Sequence, residues 1–295
     1  MRAPLLILVA AVFACGGVAT SDDQEDLAAT RHLFALTHAP FPNSHPAALV
    51  HLAKGFRKDG PLNLVVHYHG WVNCIENVGE AHNSRCTPGG PVRIAHNLIN
   101  QIDQSGANAA LVLIERSFDQ SNSDDGRLAQ PGFFHDMIAE LLPRIGTLAG
   151  RAYVESDLGS IVLSSHSGGY RALAHTLDRG GLTDHVTQVI LLDSVYDNLA
   201  QFEAFAQEAL GAARLAVVYT DGAGTEANSQ RMADDARGWL SAAGLDASLL
   251  VDDRSYGTLP SSAFDAPLLF KRSALSHDGT AQYYFGKLLA HARLN

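Results

Sequence analysis

Ile161-Val162-Leu163-Ser164-Ser165-His166-Ser167-Gly168-Gly169-Tyr170 is the stretch that decides the fold of this chain. A short apolar run, rich in β-branched residues, ends in small residues around Ser167. A segment that reads as helix, Tyr170 to about Asp178, follows at once. Where a strand passes into a helix through so sharp a turn, the residue at the apex sits at strained backbone angles. Its neighbours two before and two after must be small so that strand and helix can pass closely, and here they are Ser165 and Gly169. The pattern Gly-x-Ser-x-Gly thus appears with Ser in place of the first Gly, where bulk is the constraint. Five residues alone would also fit a plain glycine-rich strand-to-helix turn. The strand before and the helix after favour a turn built to present a serine.

Outward from this turn, strand-like and helix-like runs alternate. The expected strands are Leu62–His69, Ala109–Glu115, the run at Ile161, Thr187–Asp193, Arg214–Thr220 and Ala247–Val251. The expected helices are Pro91–Ser105, Phe133–Ala149, about Leu199–Leu210, about Ala227–Ala242 and about Thr280–Ala292. Alternation with near-continuous apolar strands predicts an α/β fold, a mostly parallel central sheet with helices on both faces. Before residue 62 the pattern is poor, and Leu33–Leu36 reads as a lone edge strand. Asp252 to Ser276 reads as irregular, and no large lid domain is inserted. In such sheets ligands bind beyond the carboxyl ends of the strands.

The 295 residues, 46% hydrophobic and 18% charged, suit one domain over 31–295. A net charge of -10 argues against a nucleic-acid partner, which needs a basic face. Met1-Arg2 and the apolar run Leu5–Ala14 read as a signal peptide over 1–20, too short to span a bilayer. Val12-Phe13-Ala14-Cys15 also resembles a lipoprotein signal, which would lipidate Cys15 and make an N-terminal lipid anchor the only membrane attachment. Ordinary cleavage near Val18–Ser21 is the alternative. Residues 21–30 read as a flexible tether. Either route exports the protein, to the periplasm, an outer-membrane anchorage or the medium. The two remaining cysteines, Cys74 and Cys86, are then expected to form a disulfide that pins their loop; two free thiols are the alternative.

A serine hydroxyl becomes a nucleophile when a base takes its proton and a third group orients the base. His277, in the loop before the closing helix, is the candidate base. Asp193 and Asp221, each ending a strand after the Ser167 turn, are the candidate acids. Asp193 leaves the apolar run Val189–Leu192, where a carboxylate needs a partner, and is favoured over Asp221, whose Thr220-Asp221-Gly222 context also suits a surface turn. The backbone N–H of Gly168, next after the serine, is a candidate oxyanion donor.

On the Ser167 turn, the His69-Gly70 pair ending an early strand and the late His277, residues 62–292 resemble the α/β-hydrolases, a superfamily of serine esterases, lipases and peptidases. The order Ser, Asp, His is the order of that superfamily's triad. The resemblance implies a second oxyanion donor at Gly70 or Trp71, with the Cys74–Cys86 bridge bracing that loop. It implies cleavage of a small-molecule or polymer ester, or less often an amide, through an acyl-enzyme and without a cofactor. The chain departs from the pattern in the first turn Gly and in lacking a clear pair of N-terminal strands. Arg116–Pro131 and Asp252–Ser276 are the expected rim of the site. Two other readings stay open. One is a metal-dependent hydrolase using His67 and His69, with His82 or His135. The other is a non-catalytic binding protein on the same fold.

Overall fold

The computed structural model describes residues 31–42 and 46–294. The expected signal, Cys15 and the tether lie outside them. In chain order the elements are β1 (Arg31–Phe34), β2 (Ala48–Leu52), β3 (Leu62–Tyr68), α1 (Ile75–Gly79), β4 (Ser84–Arg85), β5 (Val92–Arg93), α2 (Leu98–Ser105) and β6 (Ala110–Ile114). Then come α3 (Phe133–Ala149), β7 (Leu158–His166), α4 (Tyr170–Arg179), β8 (Val186–Leu192), α5 (Leu199–Glu208) and β9 (Arg214–Tyr219). The chain continues with α6 (Glu226–Ala242), β10 (Leu250–Asp253), β11 (Leu268–Arg272) and α7 (His277–Ala290). Nine strands form one sheet in the order β1-β2-β6-β3-β7-β8-β9-β11-β10, and β4 and β5 form a separate two-stranded ribbon. The β1–β2 and β2–β6 pairings are antiparallel and the other pairings of the large sheet are parallel.

Successive strand residues serve opposite faces, and two cores follow. Leu64, Val66, Leu163 and Leu191 pack with Phe134, Met137, Ala172, Phe202 and Met232 of α3 to α6. Val65, Val162, Ile190 and Leu192 pack with Ile75, Leu98, Ile102, Phe285 and Leu288 of α1, α2 and α7. This is the mostly parallel sheet covered on both faces that the alternation predicts.

The differences lie where polarity or local bonding hides an element. Leu33 belongs to an edge strand, but not a lone one: β1 pairs with β2, so the N-terminal pair is present. The helix expected from Pro91 begins only at Leu98, because Val92–Arg93 pairs with Ser84–Arg85 and Asn97 takes a left-handed φ of 60°. The stretch expected to be irregular contains β11, inserted between β9 and β10. Its Lys271 is buried, neutralised by Asp253 at 2.7 Å, so the cation that obscures the strand in sequence is satisfied inside the fold. His277 opens α7 instead of lying in the loop before it. Ser276 caps that helix by accepting from the Gly279 N–H at 3.1 Å.

Candidate active site

Ser167 directly follows β7 with φ of 51°, a left-handed conformation rare for a residue with a Cβ. The small neighbours explain how the turn closes. A Cβ on Gly169 would overlap the Tyr68 carbonyl oxygen, and one on Gly168 would overlap the Trp71 indole. A Cβ on Gly70 would stand 2.7 Å from the Ser167 Cβ, so this glycine lets the β3 loop approach the serine. At the first position of the pattern, Ser165 contributes more than small size. Its Oγ lies 2.8 Å from Ser194 Oγ, which donates to the Ser167 carbonyl at 2.8 Å. A glycine could not make that link.

Asp193 ends β8 and is buried, also at positive φ (47°). Its carboxylate accepts from the Thr220 N–H at 3.0 Å, from Thr220 Oγ1 at 2.6 Å and from Thr225 Oγ1. His277 Nδ1 lies 2.8 Å from Asp193 Oδ2. A proton on Nδ1, donated to the carboxylate, leaves Nε2 as the basic nitrogen. Asp221 is engaged elsewhere. It accepts from Arg272 Nε and Nη2, each at 2.8 Å, and from the Tyr256 hydroxyl. The Arg272 hydrogen bonds, then the Tyr256 one, hold its carboxyl below the usual range. The structure thus brings His277 to Asp193 and leaves Asp221 with Arg272.

The loop after β3 is held from beneath. His69 meets the Gly70 carbonyl through Nδ1 at 2.8 Å and Glu115 through Nε2 at 2.7 Å, and Glu115 also accepts from the Ile75 N–H. The buried Arg116 guanidinium donates to the carbonyls of His69 at 2.8 Å and Asp124 at 3.0 Å. Trp71 Nε1 donates to Ser123 Oγ, and the Val72 N–H to the Gln120 carbonyl. Residues from Arg116 to Asp124 therefore brace this loop rather than line the rim. The Cys74–Cys86 disulfide is formed, tying the start of α1 to the end of β4.

Ser167, His277 and Tyr196 share a cavity of about 930 Å³ with Gly222, Ser273 and Asp278. Trp71, Val92, Ile94, Tyr256 and Leu275 stand exposed on its walls. Asp252–Ser276 thus supplies part of the rim, and the β4–β5 ribbon supplies the part expected of Arg116–Pro131. Tyr196 was not legible in the sequence, being one of 8 tyrosines in no motif. It lines the cavity with Ser167, and burial followed by the Asp193 charge pushes its hydroxyl up to about 12.

The histidines of the metal reading do not converge. His67 is buried against Ser164 and the Phe285 ring, and His69 is held by Glu115. His82 is exposed, and His135 sits on the surface between Asp136 and Glu155. Among the described residues the group of three potential ligands is a different one: His96, His166 and Asp278. The His166 ring lies 4.5 Å from that of His277 and 4.6 Å from that of His96. Burial, then the charges of His96 and His277, keep His166 well below the usual histidine range.

No protein-family model and no curated protein matches this chain. Solved structures do. A feruloyl esterase module from Clostridium thermocellum, an S954A mutant complexed with sinapinate, superposes with a TM-score of 0.56 at 11% identity, over 89% of this chain and 88% of that one. A structure named FAE gives 0.55 at 11% identity, over 88% and 86%. Thermogutta terrifontis esterase 2, phosphonylated by sarin, gives 0.48 at 10% identity, over 88% and 92%. With the strand order above, the chain has the α/β-hydrolase fold.

Proposed function

We propose that this chain is an exported serine esterase that works through an acyl-enzyme. In this reading His277 Nε2 takes the Ser167 proton as Oγ attacks the ester carbonyl, and returns it to the departing alcohol. Water then attacks the acyl-serine by the same route. Asp193 fixes the imidazole and stabilises the imidazolium; its three donors from Thr220 and Thr225 are neutral groups that hold it in place. The N–H groups of Gly168 and of the Gly70–Trp71 segment receive the developing oxyanion. Tyr196 keeps its proton at neutral pH, and in this reading its hydroxyl donates to Ser167 Oγ.

One observation carries the reading. A serine at positive φ after a central strand lines the same cavity as a histidine bonded at 2.8 Å to a fully buried aspartate. The apolar side chains on the cavity walls favour an uncharged, apolar acyl or alcohol group. With the likeness to a feruloyl esterase module, this makes aryl-acyl esters the first substrates to offer. Export rests on the N-terminal residues and accords with the disulfide.

The test is labelling of the purified protein with a fluorophosphonate probe, mapped by mass spectrometry, with Ser167→Ala as control. Modification of Ser167 alone is expected. A folded, oxidised protein that resists the probe would sink the assignment.

A further inference from the structure

We propose that His96, His166 and Asp278 form a binding site for one divalent transition-metal ion of the zinc type, set in the wall of the candidate active-site cavity. Three segments bring the residues together: His96 precedes α2, His166 ends β7, and Asp278 lies in the first turn of α7. One ligand atom from each falls within 4.8 Å of the others. Two imidazoles and a carboxylate are a zinc donor set that leaves further positions for water.

Two independent features favour a ligand over a simple His–Asp pair. His96 and His166 are buried, and each has a ring nitrogen, Nδ1, with no hydrogen-bond partner. Their other nitrogens meet Asp278 Oδ1 and the His277 carbonyl, both at 3.2 Å. Each ring thus has one nitrogen left unsatisfied, in surroundings where unsatisfied polar atoms are costly. The second feature is access. Asp278 and His166 both line the cavity, so an ion can enter from solvent and keep water on its open side.

Asp278 adjoins His277, and the His166 ring packs on the His277 ring. A bound dication would therefore oppose the imidazolium that proton transfer creates. This consequence, reversible inhibition, rests on the reading of His277 as the base; the site itself does not.

Zinc chloride titrated calorimetrically into the chelator-stripped full chain tests both. One ion per chain is expected, with affinity weakened by at least about tenfold in His96→Gln and in Asp278→Asn, and kept in His277→Ala. Using two ligand variants guards against one that fails to fold. Absence of saturable binding overturns the site, as does binding indifferent to both ligand variants, or binding lost in His277→Ala. Fluorophosphonate labelling with and without zinc separates the second claim. Labelling slowed by zinc supports inhibition, and unchanged labelling at saturating zinc overturns it. Zinc bound in a protein that never labels would leave the site standing and the serine reading overturned.

Discussion

Asp193 and His277 lie 84 residues apart in the chain and meet at 2.8 Å, while Asp221, on the neighbouring strand end, faces Arg272. The two aspartates leave adjacent parallel strands, β8 and β9, so their separation across the sheet decides which of them the first turn of α7 can reach. Asp193→Asn is expected to lower kcat/KM for an aryl ester by about 10⁴-fold, through loss of the imidazole tautomer. Asp221→Asn should leave turnover close to that of the parent. Steady-state kinetics on both variants, each checked for fold by circular dichroism, decides the matter; comparable losses would remove Asp193 from its role.

Tyr196 tests how the nucleophile is held. Tyr196→Phe removes a hydroxyl that the proposed mechanism directs at Ser167, and little volume, so kcat should fall by up to about tenfold with KM nearly unchanged. A larger rise in KM than fall in kcat would instead mean that Tyr196 contacts substrate. Initial rates across a substrate series separate the two.

The disulfide has a stability effect and a functional one. Loss of a short-loop crosslink lowers stability by about 2–4 kcal/mol, and Cys86→Ser should show a correspondingly reduced melting temperature. Because β5 and the residue after it place Val92 and Ile94 on the cavity wall, KM should rise more than kcat falls. Melting curves and kinetics on the variant check both.

His67 predicts an acid limb in stability. Burial, then the charges of His96 and His69, lowers its pKa well below 6.5 in the folded chain. The unfolded chain therefore takes up the proton first as pH falls. The contribution is fully present above about pH 6.5 and is lost below it, at up to about 1.36 kcal/mol per pH unit from this residue alone. Urea unfolding between pH 5 and 7.5 measures the slope, and His67→Gln should flatten it by about one proton.

What the sequence made legible were features imposed by local geometry. Gly169 announces the turn because a side chain there would strike the Tyr68 carbonyl, and Ser165 because the pattern asks for a small residue two before the serine. The parallel strands announce themselves as unbroken apolar runs. Elements whose polar residues are satisfied by distant partners stayed hidden. β11 ends in Lys271-Arg272, and distant partners, Asp253 with the Ser255 carbonyl and Asp221 with Glu226, make those cations compatible with a strand. β2 is short and contains His51, whose Nε2 lies 2.8 Å from Asp103 Oδ1. The choice between Asp193 and Asp221 depends on strand order, which spacing along the chain does not encode. Ser194 and Tyr196 belong to no motif, and their roles exist only once β8 lies beside β7.

The ribbon of β4 and β5 sits outside the main sheet, and the crosslink closes its first half into a ring anchored at Cys74. Such a unit can change length or composition without shifting any strand register beneath it. It is a natural cassette: variants that lengthen or shorten residues 81–91 would remodel one wall of the cavity while Ser167, Asp193 and His277 keep the positions that the parallel sheet gives them.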